Sequence, residues 1–153
     1  MKKRISFLLT LMLITTLFMF PAKDVNASDE ECIDGSYLLD EDFSEGTAVG
    51  KTRGIYLKSG SSTIVKEGTG KIGAGGTTVG QSTVSKIAIT VRVEKLVNGS
   101  WTAYTSWTAT KYNALYVRTS KVLSVPIGYY YRVYSTHTAN SDVSGSFTDG
   151  IHI

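Results

Sequence analysis

The chain has 153 residues, with 16 Lys and Arg against 13 Asp and Glu and a formal charge of +3, a length that fits one globular domain. A single cysteine excludes an internal disulfide, so stability must come from core packing. Two histidines without a Cys/His cluster give no zinc pattern.

The chain opens Met1-Lys2-Lys3-Arg4, then runs largely apolar from Ile5 to Phe20 and closes on Pro21. Val25-Asn26-Ala27 then offers small residues at the −3 and −1 positions of a cleavage site. This order predicts a helical signal peptide over residues 1–27, cut after Ala27. A retained anchor is the alternative, but the apolar run is short for a span of about 20 residues. The expected location is extracellular or cell-wall associated, with no stable membrane span after cleavage.

Cleavage leaves twelve basic and twelve acidic residues. The basic balance therefore belongs largely to the removed segment and argues for no nucleic-acid partner. What remains is sorted along the chain. Residues 28–46 hold eight acidic side chains and no Lys or Arg, whereas residues 47–153 hold twelve basic residues against Glu67, Glu94, Asp142 and Asp149. The expectation is an irregular acidic leader over 28–46, followed by one all-β domain over 47–153. A solvated leader is the simpler reading, since exposed charge pairs contribute little each. The sharper one has the leader masking an anion site. Cys32 follows Asp29-Glu30-Glu31, which excludes a lipid-attachment motif and leaves pairing between chains.

Strand signals fill the remainder. Ile55–Lys58 and Thr63–Lys66 flank Ser59-Gly60-Ser61-Ser62, which reads as a hairpin. Val84 to Leu96 alternates, with Ile87, Ile89, Val91 and Val93 on one face and Ala88, Thr90, Arg92 and Glu94 on the other. Asn98-Gly99 marks a turn into a strand from Trp101 to Thr108. Further strands are predicted at 114–119, 121–125, 129–136 and near Ile151. The fold class is an antiparallel β-sandwich or a partly open barrel. A two-residue loop pairs Leu96 with Trp101 and puts both tryptophans on the Arg92 face. A loop bulged at Gly99 pairs Leu96 with Ser100 and puts both on the Val91 face. The second is preferred, because it buries two large aromatics.

Chemical motifs are few. Gly68-Thr69-Gly70-Lys71-Ile72-Gly73 matches a dinucleotide fingerprint, but no helix and no βαβ unit follows. Asn98-Gly99-Ser100 matches a glycosylation sequon whose residues the turn needs. No G-x-S-x-G elbow appears. Glu67, Glu94, Asp142 and Asp149 read as surface or turn residues, and His137 and His152 stand fifteen positions apart. No catalytic residue, metal ligand or cofactor is expected.

Four tyrosines fall between Gly128 and Thr138. Alternation sends Tyr129, Tyr131, Val133, Ser135 and His137 to the core and Tyr130, Arg132, Tyr134 and Thr136 to the other face. Tyr130, Arg132 and Tyr134 form the candidate ligand site. Flat rings stack on sugars, and a guanidinium forks onto carboxylate or phosphate. A half-exposed outer face is the plainer reading, since Tyr favours strands anyway.

The order of "VEKLVNGSWTAYTSW", "GYYYRVYSTHTA" and "TDGIHI", with the Gly-rich "GTGKIGAGGTTVGQSTV", resembles an uncharacterised family of short exported proteins of Gram-positive bacteria. The likeness runs over residues 54–153. It implies an exported all-β domain of unknown function and brings no site residues with it.

The expected function is a non-enzymatic exported β-domain that binds an anionic glycan or cell-wall polymer. A structural or self-associating extracellular protein is the second reading, and a secreted hydrolase with an unrecognised site the third. An exposed Tyr130–Arg132–Tyr134 patch favours the first, a long uncovered edge strand the second, and a cleft joining His137 to a carboxylate the third.

Overall fold

The computed structural model describes residues 31–48 and 54–153. The expected signal-peptide helix lies outside the described residues. Those described are all-β, with no helix, in nine strands: β1 (Cys32–Ile33), β2 (Ser36–Leu39), β3 (Phe43–Thr47), β4 (Leu57–Gly68), β5 (Lys71–Val97), β6 (Ser100–Ser124), β7 (Tyr130–Ala139), β8 (Asp142–Phe147) and β9 (Gly150–His152).

The long β5–β6 hairpin organises the molecule. Strand β6 runs along one edge of β5, while the other edge is shared, by β4 up to Gly80 and by β7 from Ile87 to Lys95. The hairpin bends where β5 runs from Val79 to Val84 against only Tyr116 to Ala114 of β6, and Asn113 there takes a φ of 49°. Such a bulge strengthens the local twist. The two halves fold towards each other, and the sheet becomes a strongly curled open structure, half a barrel in shape. Across the curl, the Trp107 indole donates to Thr119 Oγ1 at 3.1 Å and the Tyr104 hydroxyl to Ser124 O at 3.3 Å.

The concave face is the core. Ile64, Ile72 and Ala74 come from one half and Ile87, Ile89, Val91, Val93, Tyr131 and Val133 from the other, all buried. The predicted faces of the β5 and β7 stretches are both observed, except that Tyr129 stays exposed ahead of β7. Glycine lets the halves close at Gly60, where a Cβ would lie 2.4 Å from the His137 ring.

Four expectations are corrected. The acidic segment is not irregular over its described part: β1 pairs with β2, β2 with β9, and β3 with β4. The β2–β9 pair is parallel, in an otherwise antiparallel sheet. The 55–66 hairpin does not form, because Ser59–Ser62 continue one strand. Their small side chains serve packing, with Gly60 beneath His137 and Ser62 bonded to Ser146. Finally, the Asn98-Gly99 loop has two residues, both at positive φ, and pairs Leu96 with Trp101. The bulge sits instead at Tyr104, between the pairs Glu94–Ala103 and Val93–Thr105. It turns Trp107 opposite Val91 while Trp101 stays on the Arg92 face, so each tryptophan follows a different one of the two predicted registers.

Candidate anion-binding surfaces

Tyr130, Arg132 and Tyr134 do lie on one face of β7, but they are not an open row. Arg132 is only 7% exposed. Its Nε donates to Glu94 Oε2 at 2.7 Å, and its Nη1 to Asp34 O at 2.9 Å and Ser36 Oγ at 2.7 Å. Its Nη2 stands 3.7 Å from Asp34 Oδ2. The guanidinium lies over the Trp101 ring at 4.6 Å and the Phe147 ring at 5.7 Å. Tyr130 tilts against His152 at 5.0 Å, and Tyr134 lies beneath Arg92 at 4.8 Å. Arg92 in turn reaches Glu94 Oε1 at 2.8 Å, so the Glu94 carboxylate bridges two guanidinium groups.

The β1–β2 turn closes this cluster. Trp101 donates its indole N–H to Ile33 O at 2.9 Å, beside the two Arg132 bonds. Desolvating a guanidinium is costly unless its donors are matched, and here each nitrogen faces an oxygen. Sequence reasoning missed Glu94, Trp101 and Asp34 as partners of Arg132. The Glu94–Arg132 contact follows from the β5–β7 register, which pairs these two residues directly. That register crosses 38 positions, and no local pattern carries it.

A second surface lies on β6. This strand contains no Asp or Glu. Its cations are Lys111, Arg118 and Lys121, all exposed, and none meets a carboxylate among the described residues. Lys111 Nζ stands over the Tyr116 ring at 5.0 Å, and Lys121 Nζ over the Trp107 ring at 4.9 Å. Such stacking holds an ammonium group in place without neutralising it. Along its other edge β6 pairs with no strand among the described residues. On the convex side, an open trough of about 340 Å³ runs between β3 and β6, lined by residues that include Phe43, Thr63, Val65, Gly73, Arg118 and Val122.

The remaining polar groups are internal or structural. His137 is fully buried, with Nδ1 2.8 Å from Thr78 Oγ1 and Nε2 2.7 Å from Ser146 Oγ. Thr78 gives its own proton to Ala88 O, so it accepts from Nδ1–H, and Nε2 accepts from Ser146. Ser62 completes the chain at 2.7 Å from Ser146 Oγ. The imidazole is neutral, and burial lowers its pKa to about 4. No carboxylate among the described residues belongs to this set. Asp142 accepts from the backbone N–H groups of Tyr56 and Leu57, and Asp149 from that of Tyr37. Cys32 is exposed with a free thiol.

A family model described as "Family of unknown function (DUF6147)" matches residues 26–150. Comparison with curated proteins and comparison with solved structures each gave no match.

Proposed function

Because the chain belongs to this family of unknown function, its activity has to be argued from its own residues, and we propose that it is an exported, non-enzymatic β-domain that binds an anionic extracellular polymer, either a cell-wall polymer or a glycan. The supporting observation is β6. Three exposed cations stand on a strand without any acidic residue, Lys111 and Lys121 beside aromatic rings on one face and Arg118 on the other. A polyanion laid along this strand meets positive charge that nothing in the described fold neutralises.

The Tyr130–Arg132–Tyr134 row takes a secondary part in this reading. Arg132 reaches an external anion only when the Asp34–Gly35 turn lifts, and Asp34 then competes with that anion. The acidic segment cannot be deleted to test this, because β1–β3 are strands of the sheet. Asp34→Asn is the suitable variant.

Self-association is the second reading, favoured by the 25-residue edge of β6, which pairs with no strand among the described residues, and by the exposed Cys32. Strand-to-strand addition of two copies along β6 would bring Lys111, Arg118 and Lys121 together with their equivalents. Charged edge side chains act against such pairing, which ranks this reading below polymer binding. The hydrolase reading draws no support from a buried histidine with two hydroxyl partners.

The test is co-sedimentation of the protein with purified cell walls, before and after the walls are stripped of teichoic acids. Binding that drops on stripping supports the proposal. Binding that is equal on both preparations, or absent from both at low salt, sinks it.

A further inference from the structure

We infer that the convex trough between β3 and β6 is a subsite for a short acidic oligosaccharide, with its sugar ring on Phe43, Val65 and Val122 and its acidic group on Arg118. This rests on the polymer-binding reading and gives it a ligand class. The strand registers place the outward side chains in ordered rows. Phe43, Val65, Gly73 and Val122 are paired in succession across β3, β4, β5 and β6. The next outward row is Glu45, Thr63, Gly75 and Ser120, and the one after it is Thr47, Ser61, Thr77 and Arg118. Along β6 the surface therefore grades from apolar Val122, through Ser120, to cationic Arg118 within five residues of strand, while Glu45 puts a carboxylate at the β3 end of the middle row. Rows two residues apart are separated by about 6.8 Å, so the gradient spans about 14 Å, the scale of a short oligosaccharide.

The floor is flat because β5 has glycine in the first two rows. A Cβ on Gly73 would lie 2.7 Å from Val65 Cγ1, and one on Gly75 would lie 2.4 Å from Thr119 O. Val65 and Val122 stand on either side of Gly73, two strand spacings or about 9.6 Å apart, and the Glu67 carboxylate reaches into the space between them, its Oε1 2.8 Å from where a Gly73 Cβ would lie. Phe43 is 50% exposed and Val122 66%, large apolar area for an outer face. A ring presenting its C–H face covers that area, as aromatic and aliphatic surfaces do in small-molecule sites. Thr63 and Ser120 lie where ring hydroxyls follow. Arg118 ends the gradient with a planar fork for carboxylate or phosphate and has no acidic partner among the described residues. Glu67 lies with its carboxylate over Gly73, beside Val65. It accepts from sugar hydroxyls and repels acid groups, so the acid group is left to Arg118, with Lys121 also lining the trough.

Calorimetric titration of the purified protein with trigalacturonate, with neutral trigalactose and with inorganic phosphate tests this, using Phe43→Ala and Arg118→Gln as variants on exposed positions. Amide spectra confirm that each variant is folded. The expected result is saturable trigalacturonate binding, with shifts confined to the trough. It weakens at least tenfold in either variant, and trigalactose binds at least tenfold more weakly and is indifferent to Arg118→Gln. Trigalacturonate affinity unchanged in both variants overturns the subsite. Inorganic phosphate competing as strongly as trigalacturonate overturns the sugar requirement. Wall binding that survives Phe43→Ala and Arg118→Gln but depends on teichoic acid leaves the polymer reading standing and removes the trough. Trough binding without any wall binding does the reverse.

Discussion

Acid should loosen this fold through His137, well above the range in which carboxylates titrate. The folded pKa is held down to about 4 by burial, against 6.5 for an ordinary histidine. The unfolded chain therefore takes up the proton as pH falls through 6.5, while the folded chain resists until about pH 4. Stability is fully present above 6.5 and is lost progressively below it. At roughly 1.36 kcal/mol per pH unit, the whole displacement is worth about 3 kcal/mol, of which about 2 kcal/mol is lost by pH 5. The hydrogen-bond chain points the same way. Protonated Nε2 would face Ser146 Oγ–H as a second donor, and Ser146 would have to turn away. Urea denaturation from pH 8 to pH 5 measures the slope. His137→Gln should be less stable at pH 8 and nearly flat over this range. A wild-type profile that is flat between pH 8 and pH 5, or a slope unchanged in His137→Gln, refutes the argument.

Further outcomes follow from the same structure. Arg132→Ala strands Glu94 in a buried position with only Arg92 beside it, and should cost about 3–5 kcal/mol by chemical denaturation; a loss below about 1 kcal/mol would mean the cluster is not as closed as described. Trp107 is half-buried rather than enclosed, so Trp107→Ala should cost about 2 kcal/mol, roughly half the value for a fully buried aromatic, in the same assay. Intact-mass measurement on culture supernatant should find a chain beginning at Ser28, and a secreted species retaining Met1 would refute the signal peptide.

The parts of the fold that were legible are those in which chemistry repeats locally. Alternation in Ile87–Val93 and in Tyr131–His137 identified the core faces, because a two-residue period survives wherever one side of a strand is buried. Small residues misled. Ser59-Gly60-Ser61-Ser62 has the composition of a turn, yet it is small because the opposite half of the sheet closes onto it. The Tyr104 bulge left no trace either, since any residue can be the extra one, and it alone separates the faces of Trp101 and Trp107. The acidic segment was read by its charge, which hid Ser36, Leu38 and Ser44 as strand positions. Arg132 was visible as a cation between tyrosines. That it is enclosed depends on Asp34, Glu94 and Trp101, which only long-range pairing brings to it. The cations of β6 were present in the sequence, but that they meet no carboxylate among the described residues is a property of the fold.

The central claim is that unneutralised charge on β6 holds an anionic polymer. The most direct measurement is wall-binding affinity of the wild type and of Lys111→Gln/Lys121→Gln across a salt series. Two exposed contacts at about 0.2–1 kcal/mol each predict a twofold to thirtyfold loss at low salt. The difference should shrink as salt rises, since the Debye length falls from about 30 Å at 0.01 M to about 8 Å at 0.15 M. Equal affinity of the two proteins at every salt concentration would contradict the account.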